Sequence, residues 1–276
     1  MAAITLRIQR FDPDRDVAPY FRDYEVPLTR GLTVLDALLY VKEKIDGSLT
    51  LRYSCRMAIC GSCGMLINDV PRLACHTQVR GLETDIIEVK PLPSYPIVKD
   101  LLTDFDSFFE KHRSIMPYTI REDIEELETP EREYIQKHDE ILETYHQFTA
   151  CIMCGMCWSA CPVSSTDDEY LGPQALTQSF RYIADSRDEA LAGRINVVDT
   201  LHGCWSCHFA GSCSHVCPKG VDPALAIQLL KRRVLSYNLG LKKTKEVAPI
   251  APPLKEEEAK KIAPKPPQRT IKKQMN

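Results

Sequence analysis

The twelve cysteines of this chain fall into three tight groups. The first is Cys55, Cys60, Cys63 and Cys75, spaced C-x4-C-x2-C-x11-C. The second, Cys151, Cys154, Cys157 and Cys161, is spaced C-x2-C-x2-C-x3-C and closed by Pro162. The third is Cys204, Cys207, Cys213 and Cys217, again followed by a proline, Pro218. Every gap is a ligand gap, so the fold must be built around loops that wrap inorganic centres. Twelve cysteines in 276 residues fall well below the density of a disulfide scaffold. In a reducing compartment such groups read as metal sites.

The first spacing is that of a plant-type [2Fe–2S] ferredoxin loop, and the second that of a bacterial cluster ferredoxin. Around the first group the chain reads CRMAICGSCG. Gly61, Ser62 and Gly64 are small for a steric reason: the chain curls tightly round a cluster and aims backbone N–H groups at its sulfurs, which helps set the potential. The competing reading is zinc, but gaps of four and eleven residues are unusual for a zinc ribbon. His76, beside Cys75, adds nothing that four cysteines do not already supply.

In two-cluster bacterial ferredoxins the fourth cysteine of each run ligates the other cluster. Applied here, Cys151, Cys154 and Cys157 hold a [4Fe–4S] cubane together with Cys217, and Cys161 joins the third group. Counting back from Cys217 gives Cys213, Ala210 and Cys207, so the middle ligand position is an alanine. A cubane without one ligand persists as [3Fe–4S], the natural reading of Cys161, Cys207 and Cys213. Cys204 is left over, either as a buried thiol or as a replacement ligand that would complete a second [4Fe–4S].

The rest of the chain predicts an α+β molecule. Residues 4–10 alternate, with Ile4, Leu6 and Ile8 on one face, and residues 22–28 are their hairpin partner. Thr33 and Asp36 open a helix carrying Val34, Leu35, Leu38 and Leu39. Met65–Ile67 and Asp85–Val89 read as further strands. The three prolines of 91–98 mark a linker. Beyond it the pattern turns helical: Leu101, Leu102, Phe105, Phe108 and Phe109 suit one amphipathic helix. Thr129 with Pro130 caps another that runs to about His146, residues 173–185 form a third, and Asp222-Pro223 opens a last one. The expected division is a β-grasp domain over 1–98, an α-helical ferredoxin domain over 99–240, and a tail over 241–276. The tail is rich in Lys, Glu and Pro and is expected to be disordered or wrapped on a partner; its lysines also suit an anionic membrane surface.

Arg7, Arg10, Asp12 and Asp14 interrupt any secretory h-region, and no apolar run approaches the ~20 residues of a membrane span. A net charge of −3 argues against nucleic acid as a main partner. No GxGxxG or P-loop suggests a nucleotide site, and no nucleophile–base pair is visible. His112, His138 and His146 read as surface or core residues, and Trp158 and Trp205 as shields of the clusters.

The order of these motifs, with the phrases YSCRMAICGSCGM, LACHT, VKPLPSYPIVKDL, LGPQAL and CPKGVDP, resembles the iron–sulfur subunit of succinate dehydrogenase/fumarate reductase over residues 1 to about 240. The resemblance implies a β-grasp domain followed by a helical ferredoxin domain. It also implies electron transfer between an FAD-bearing flavoprotein subunit and a quinone at membrane-anchor subunits of the kind that can bear haem. The chain would then lie peripherally on the cytoplasmic side of a prokaryotic cell membrane, held by its partners. His208 matches a family position near the quinone. The stretch VSSTDDEY after Pro162 lacks the tryptophan of ubiquinone-linked members, which favours menaquinone or another acceptor. Two other readings stand beside this one: the iron–sulfur subunit of a thiol-dependent, heterodisulfide-reductase-like fumarate reductase, and a free multi-cluster ferredoxin.

Overall fold

The computed structural model describes residues 3–120 and 144–241. Its N-terminal part is a five-stranded mixed sheet in the order β2-β1-β5-β3-β4. Strand β1 (Ala3–Arg10) runs antiparallel to β2 (Tyr20–Pro27), pairing Ala3 with Pro27 and Arg10 with Tyr20, and parallel to β5 (Ile86–Lys90). Strand β3 (Gly64–Ile67) pairs antiparallel with β5 and with β4 (Val70–Leu73). The alternation of β1 is realised, with Ile4, Leu6 and Ile8 buried. Helix α1 (Val34–Tyr40) starts at a full capping box: Thr33 accepts from the Asp36 N–H, and Asp36 accepts from the Thr33 N–H. Its Val34, Leu35, Leu38 and Leu39 share one core with the sheet, the arrangement expected of a β-grasp.

Arg10 ties this part together from inside. Its guanidinium donates to Asp100 at 2.9 Å, to Asp46 at 2.8 Å, to Tyr24 Oη at 2.5 Å and to Ser48 at 2.9 Å. Asp100 also accepts from the backbone N–H groups of Phe11 and Thr50.

Two expectations need correction. Residues 91–98 are not wholly a linker: Ile97 opens β6 (Ile97–Lys99), which pairs with β7 (Leu102–Thr103). Leu101 and Leu102 therefore belong to this hairpin, and α2 (Asp106–Ser114) begins only after Asp104, whose side chain accepts from the Asp106 N–H. The reason is local: Asp100 adopts φ +48° and spends its carboxylate on neighbouring segments, turning the chain before a helix can start.

The C-terminal part is helical. The short α3 (His146–Thr149) precedes the second cysteine group, and α4 (Met156–Ser159) lies within it and carries Cys157. Next come α5 (Gly172–Ala184), α6 (Leu191–Val198), the short α7 (Ser212–His215) and α8 (Pro223–Asn238). Asp222 caps α8 by accepting from the Leu225 N–H. Helix α6 has no side-chain cap and contains Gly193, so no sequence signal announces it. Leu176, Phe180, Ile195, Ile227 and Leu230 form its core. The expected helix from Thr129, His138 within it, and the tail lie outside the described residues, apart from Leu241 and the His146 end. No helix of the described residues is long and apolar enough to cross a membrane.

The N-terminal core continues past residue 98. Leu92, Tyr95, Leu101 and Phe108 pack in it together with Met156 and Trp158. Trp158 donates its indole N–H to the Ser94 carbonyl at 3.0 Å, and its ring lies beneath the ammonium of Lys111.

Candidate cluster sites

The first site is the loop between α1 and β3. Arg56, Ala58 and Gly61 take positive φ, which curls the chain so that its N–H groups face inward. The N–H groups of Met57, Ile59 and Cys60 point at Cys55 Sγ at 3.4, 3.3 and 3.2 Å, and that of Ala58 at Cys75 Sγ at 3.4 Å. These donors lower the Cys55 thiol to about 6, while burial pushes Cys63 up to about 12. One edge of the loop thus lies in the core and the other at the surface, where Cys60, Met57 and Ile59 are exposed.

A cavity in the helical part is lined by Cys151, Cys154, Cys157 and Cys217. It gathers three thiols from one loop with one from the far end of the third group. Burial raises all three upstream thiols, Cys154 to about 12, and their neighbours Cys151 and Cys217 add to the rise. Tyr95 Oη donates to the Gly155 carbonyl at 3.0 Å and braces this loop from the N-terminal core. Gly64 and Gly61 rest against Cys154, so the first and second sites adjoin.

A second cavity is lined by Cys161, Cys207 and Cys213 together with His208, Ala210 and Tyr170. Its loop repeats the geometry of the previous one. Met153 and Gly155 have φ +52° and +75°; Phe209 and Gly211 have φ +59° and +76°. Each loop leads into a one-turn helix, α4 or α7. In this register Ala210 stands where Cys154 stands, and Cys204 where Phe148 stands. Both Phe148 and Cys204 are buried in the helical core. Cys204 is absent from the lining of the cavity, and burial raises its thiol to about 11.

These surroundings fit iron–sulfur clusters. Thiols surround hollows instead of converging on a point, the walls are largely apolar, and backbone N–H groups aim at sulfur. Among the described residues no group of three or more His, Cys, Asp or Glu is gathered as a single-ion site.

Of the tryptophans read as shields, Trp158 is buried against Tyr95 and Tyr170. Trp205 is 38% exposed and donates to Asp199, so it shields little. His76 and His146 are exposed; His112 is partly buried, its Nδ1 3.1 Å from the Gln174 amide. Sequence reasoning missed Tyr95, Tyr170 and Lys231, whose ammonium donates to the Cys207 carbonyl at 2.8 Å. Tyr170 precedes the LGPQAL phrase, but only the fold brings it to the cavity.

The comparisons agree with this geometry. The family described as "2Fe-2S iron-sulfur cluster binding domain" matches residues 5–110, and that described as "4Fe-4S dicluster domain" matches residues 147–221. A fumarate reductase iron-sulfur subunit of Mycobacterium tuberculosis is 43% identical over 87% of this chain and 96% of its own length. A succinate dehydrogenase iron-sulfur subunit of Paracoccus denitrificans is 39% identical over 83% of this chain and 86% of its own. A chain of the Mycobacterium smegmatis Sdh1 complex in the apo form superposes with a TM-score of 0.76 at 26% identity, covering 87% of this chain and 99% of that one. The chain described here belongs to the family of fumarate reductase and succinate dehydrogenase iron–sulfur subunits.

Proposed function

We propose that this chain relays electrons between an FAD-bearing flavoprotein subunit and a quinone held by membrane-anchor subunits. It would do so through [2Fe–2S] at Cys55, Cys60, Cys63 and Cys75, [4Fe–4S] at Cys151, Cys154, Cys157 and Cys217, and [3Fe–4S] at Cys161, Cys207 and Cys213. The observation that carries this ligand assignment is the cavity that joins Cys217 to the three thiols of the upstream loop. The three-iron reading is supported by Ala210, which takes the place of Cys154 in the repeated loop, and by Cys204, which takes that of a core phenylalanine.

Bound clusters supply one-electron transfer; the chain's residues hold and insulate them. The N–H groups of Met57, Ile59 and Cys60 orient the first site toward an exposed edge, suited to a flavoprotein surface. The contact of Gly61 and Gly64 with Cys154 keeps the first two sites adjacent. His208 beside the last cavity suits the quinone end. The chain itself would sit peripherally on the cytoplasmic face, with its partners embedded.

The test uses the complex purified without air. Iron should be present at about nine and acid-labile sulfide at about ten atoms per chain, given one cluster of each of these types. Cys55→Ser should perturb only the [2Fe–2S] signal in electron paramagnetic resonance, and Cys217→Ser the [4Fe–4S] signal. An intact [4Fe–4S] signal in Cys217→Ser would overturn the crossed assignment, and zinc in place of iron would overturn the function.

A further inference from the structure

Tyr170 ends the turn that leads from Pro162 into α5. It is fully buried, its ring stacked at 21° on Trp158 with centroids 6.4 Å apart, and its N–H is held by Asp167. Its side chain lines the cavity of Cys161, Cys207 and Cys213, yet its hydroxyl has no hydrogen-bond partner among the described residues. Of the buried side-chain polar atoms left unpaired there, it is the one whose side chain lines this cavity. Tyr95, beside the other cavity, shows the contrast: its hydroxyl is already committed to the Gly155 carbonyl. A buried hydroxyl without a partner is costly and calls for an explanation. A phenol is protonated at neutral pH and so is available as a donor.

We propose that Tyr170 donates its phenolic hydrogen to a sulfur of the third cluster and raises that cluster's reduction potential. This rests on the third cluster occupying this cavity. Each electron added makes the cluster more negative, so a donor stabilises the reduced form more than the oxidised one. Around this cavity the donors to thiol sulfur among the described residues are few: Ser214 donates to Cys213, and Gln228 reaches Cys207 Sγ only at 3.9 Å. One phenol should therefore have a measurable effect. Tyr170 acts as a tuning residue, through the cluster.

The experiment is a redox titration of the assembled complex, followed by the paramagnetic signal of the oxidised three-iron cluster. Tyr170→Phe keeps the ring and removes the donor. It should shift the oxidised-to-reduced ratio at fixed ambient potential about three- to tenfold toward the oxidised form, the upper value being about 59 mV for one electron. The [2Fe–2S] midpoint should not move. In a second variant, 3-fluorotyrosine placed at position 170 alone supplies a more acidic phenol of nearly the same shape and should move the ratio the other way. This second variant decides the matter if Tyr170→Phe assembles no third cluster. A midpoint unchanged in the fluorinated protein, or unchanged or raised in Tyr170→Phe, overturns the proposal. Absence of any three-iron signal in the parent instead overturns the assignment of the third cluster on which it rests.

Discussion

A Cβ built on Gly61 would lie 2.8 Å from the Cβ of Cys154 and 2.9 Å from its Cα. Gly61 also has φ +73°, a conformation that L side chains rarely adopt. The first cysteine loop and the second therefore meet backbone to backbone at this glycine. Gly61→Ala should cost about 1–3 kcal/mol through overpacking, with further strain from the positive φ. The check is the thermal midpoint, together with the magnetic coupling between the first two clusters. A variant as stable and as strongly coupled as the parent would contradict the contact.

Removing Arg10 should be among the most damaging changes outside the cysteine loops. Arg10→Met would leave the buried carboxylate of Asp100 without its cation and Asp46 with only the exposed Arg22. Breaking a buried pair in this way costs about 3–5 kcal/mol. Chemical unfolding of the purified protein measures it. A loss below about 1 kcal/mol, the range of surface pairs, would show that the network is solvated.

His202 sits between Asp167, 2.8 Å from Nδ1, and Glu169, 3.1 Å from Nε2. The hydrogen bond to Asp167 raises its pKa above the ordinary histidine value. The pair's contribution is therefore complete below about pH 6.5, the unfolded value, and is lost as pH rises through the raised folded value. The gap in thermal midpoint between the parent and Asp167→Asn should narrow as pH is raised from 6 toward 9. A gap independent of pH would remove the ion pair from the account.

Cys204→Ala should leave the oxidised three-iron signal in place, because the thiol belongs to the helical core and not to the cavity lining. The cost should be that of a small buried hydrophobe, about 1 kcal/mol. If the signal were missing in the parent and appeared only in the variant, Cys204 would be a ligand.

The features legible in the sequence were those set by short-range rules. Ile4, Leu6 and Ile8 declared β1 by alternation, Thr33 and Asp36 declared α1 by reciprocal capping, and Asp222-Pro223 declared α8. The cysteine gaps mark the three ligand loops; the meeting of Cys217 with Cys151, Cys154 and Cys157 depends on the fold and not on loop length. The β6–β7 hairpin escaped notice because its turn depends on Asp100 binding Arg10 and the backbone of Phe11 and Thr50, all remote in sequence. The place of Tyr170 escaped for the same reason. The pairing of Cys204 with Phe148 was readable in principle, since both lie three residues before the first cysteine of their loop. It becomes meaningful only once both are seen to be buried.

The packing of Leu92, Tyr95 and Leu101 with Met156 and Trp158 bears on how such a molecule can be modified. The two halves are not beads on a string, to be exchanged at residue 98 like interchangeable parts. A chimera joined there would have to bring the matching face of Trp158 and the Ser94 carbonyl that receives its indole hydrogen. The separation of the first and second sites is accordingly fixed by solid interior, so lengthening the surface segments between them should leave the distance an electron must travel unchanged.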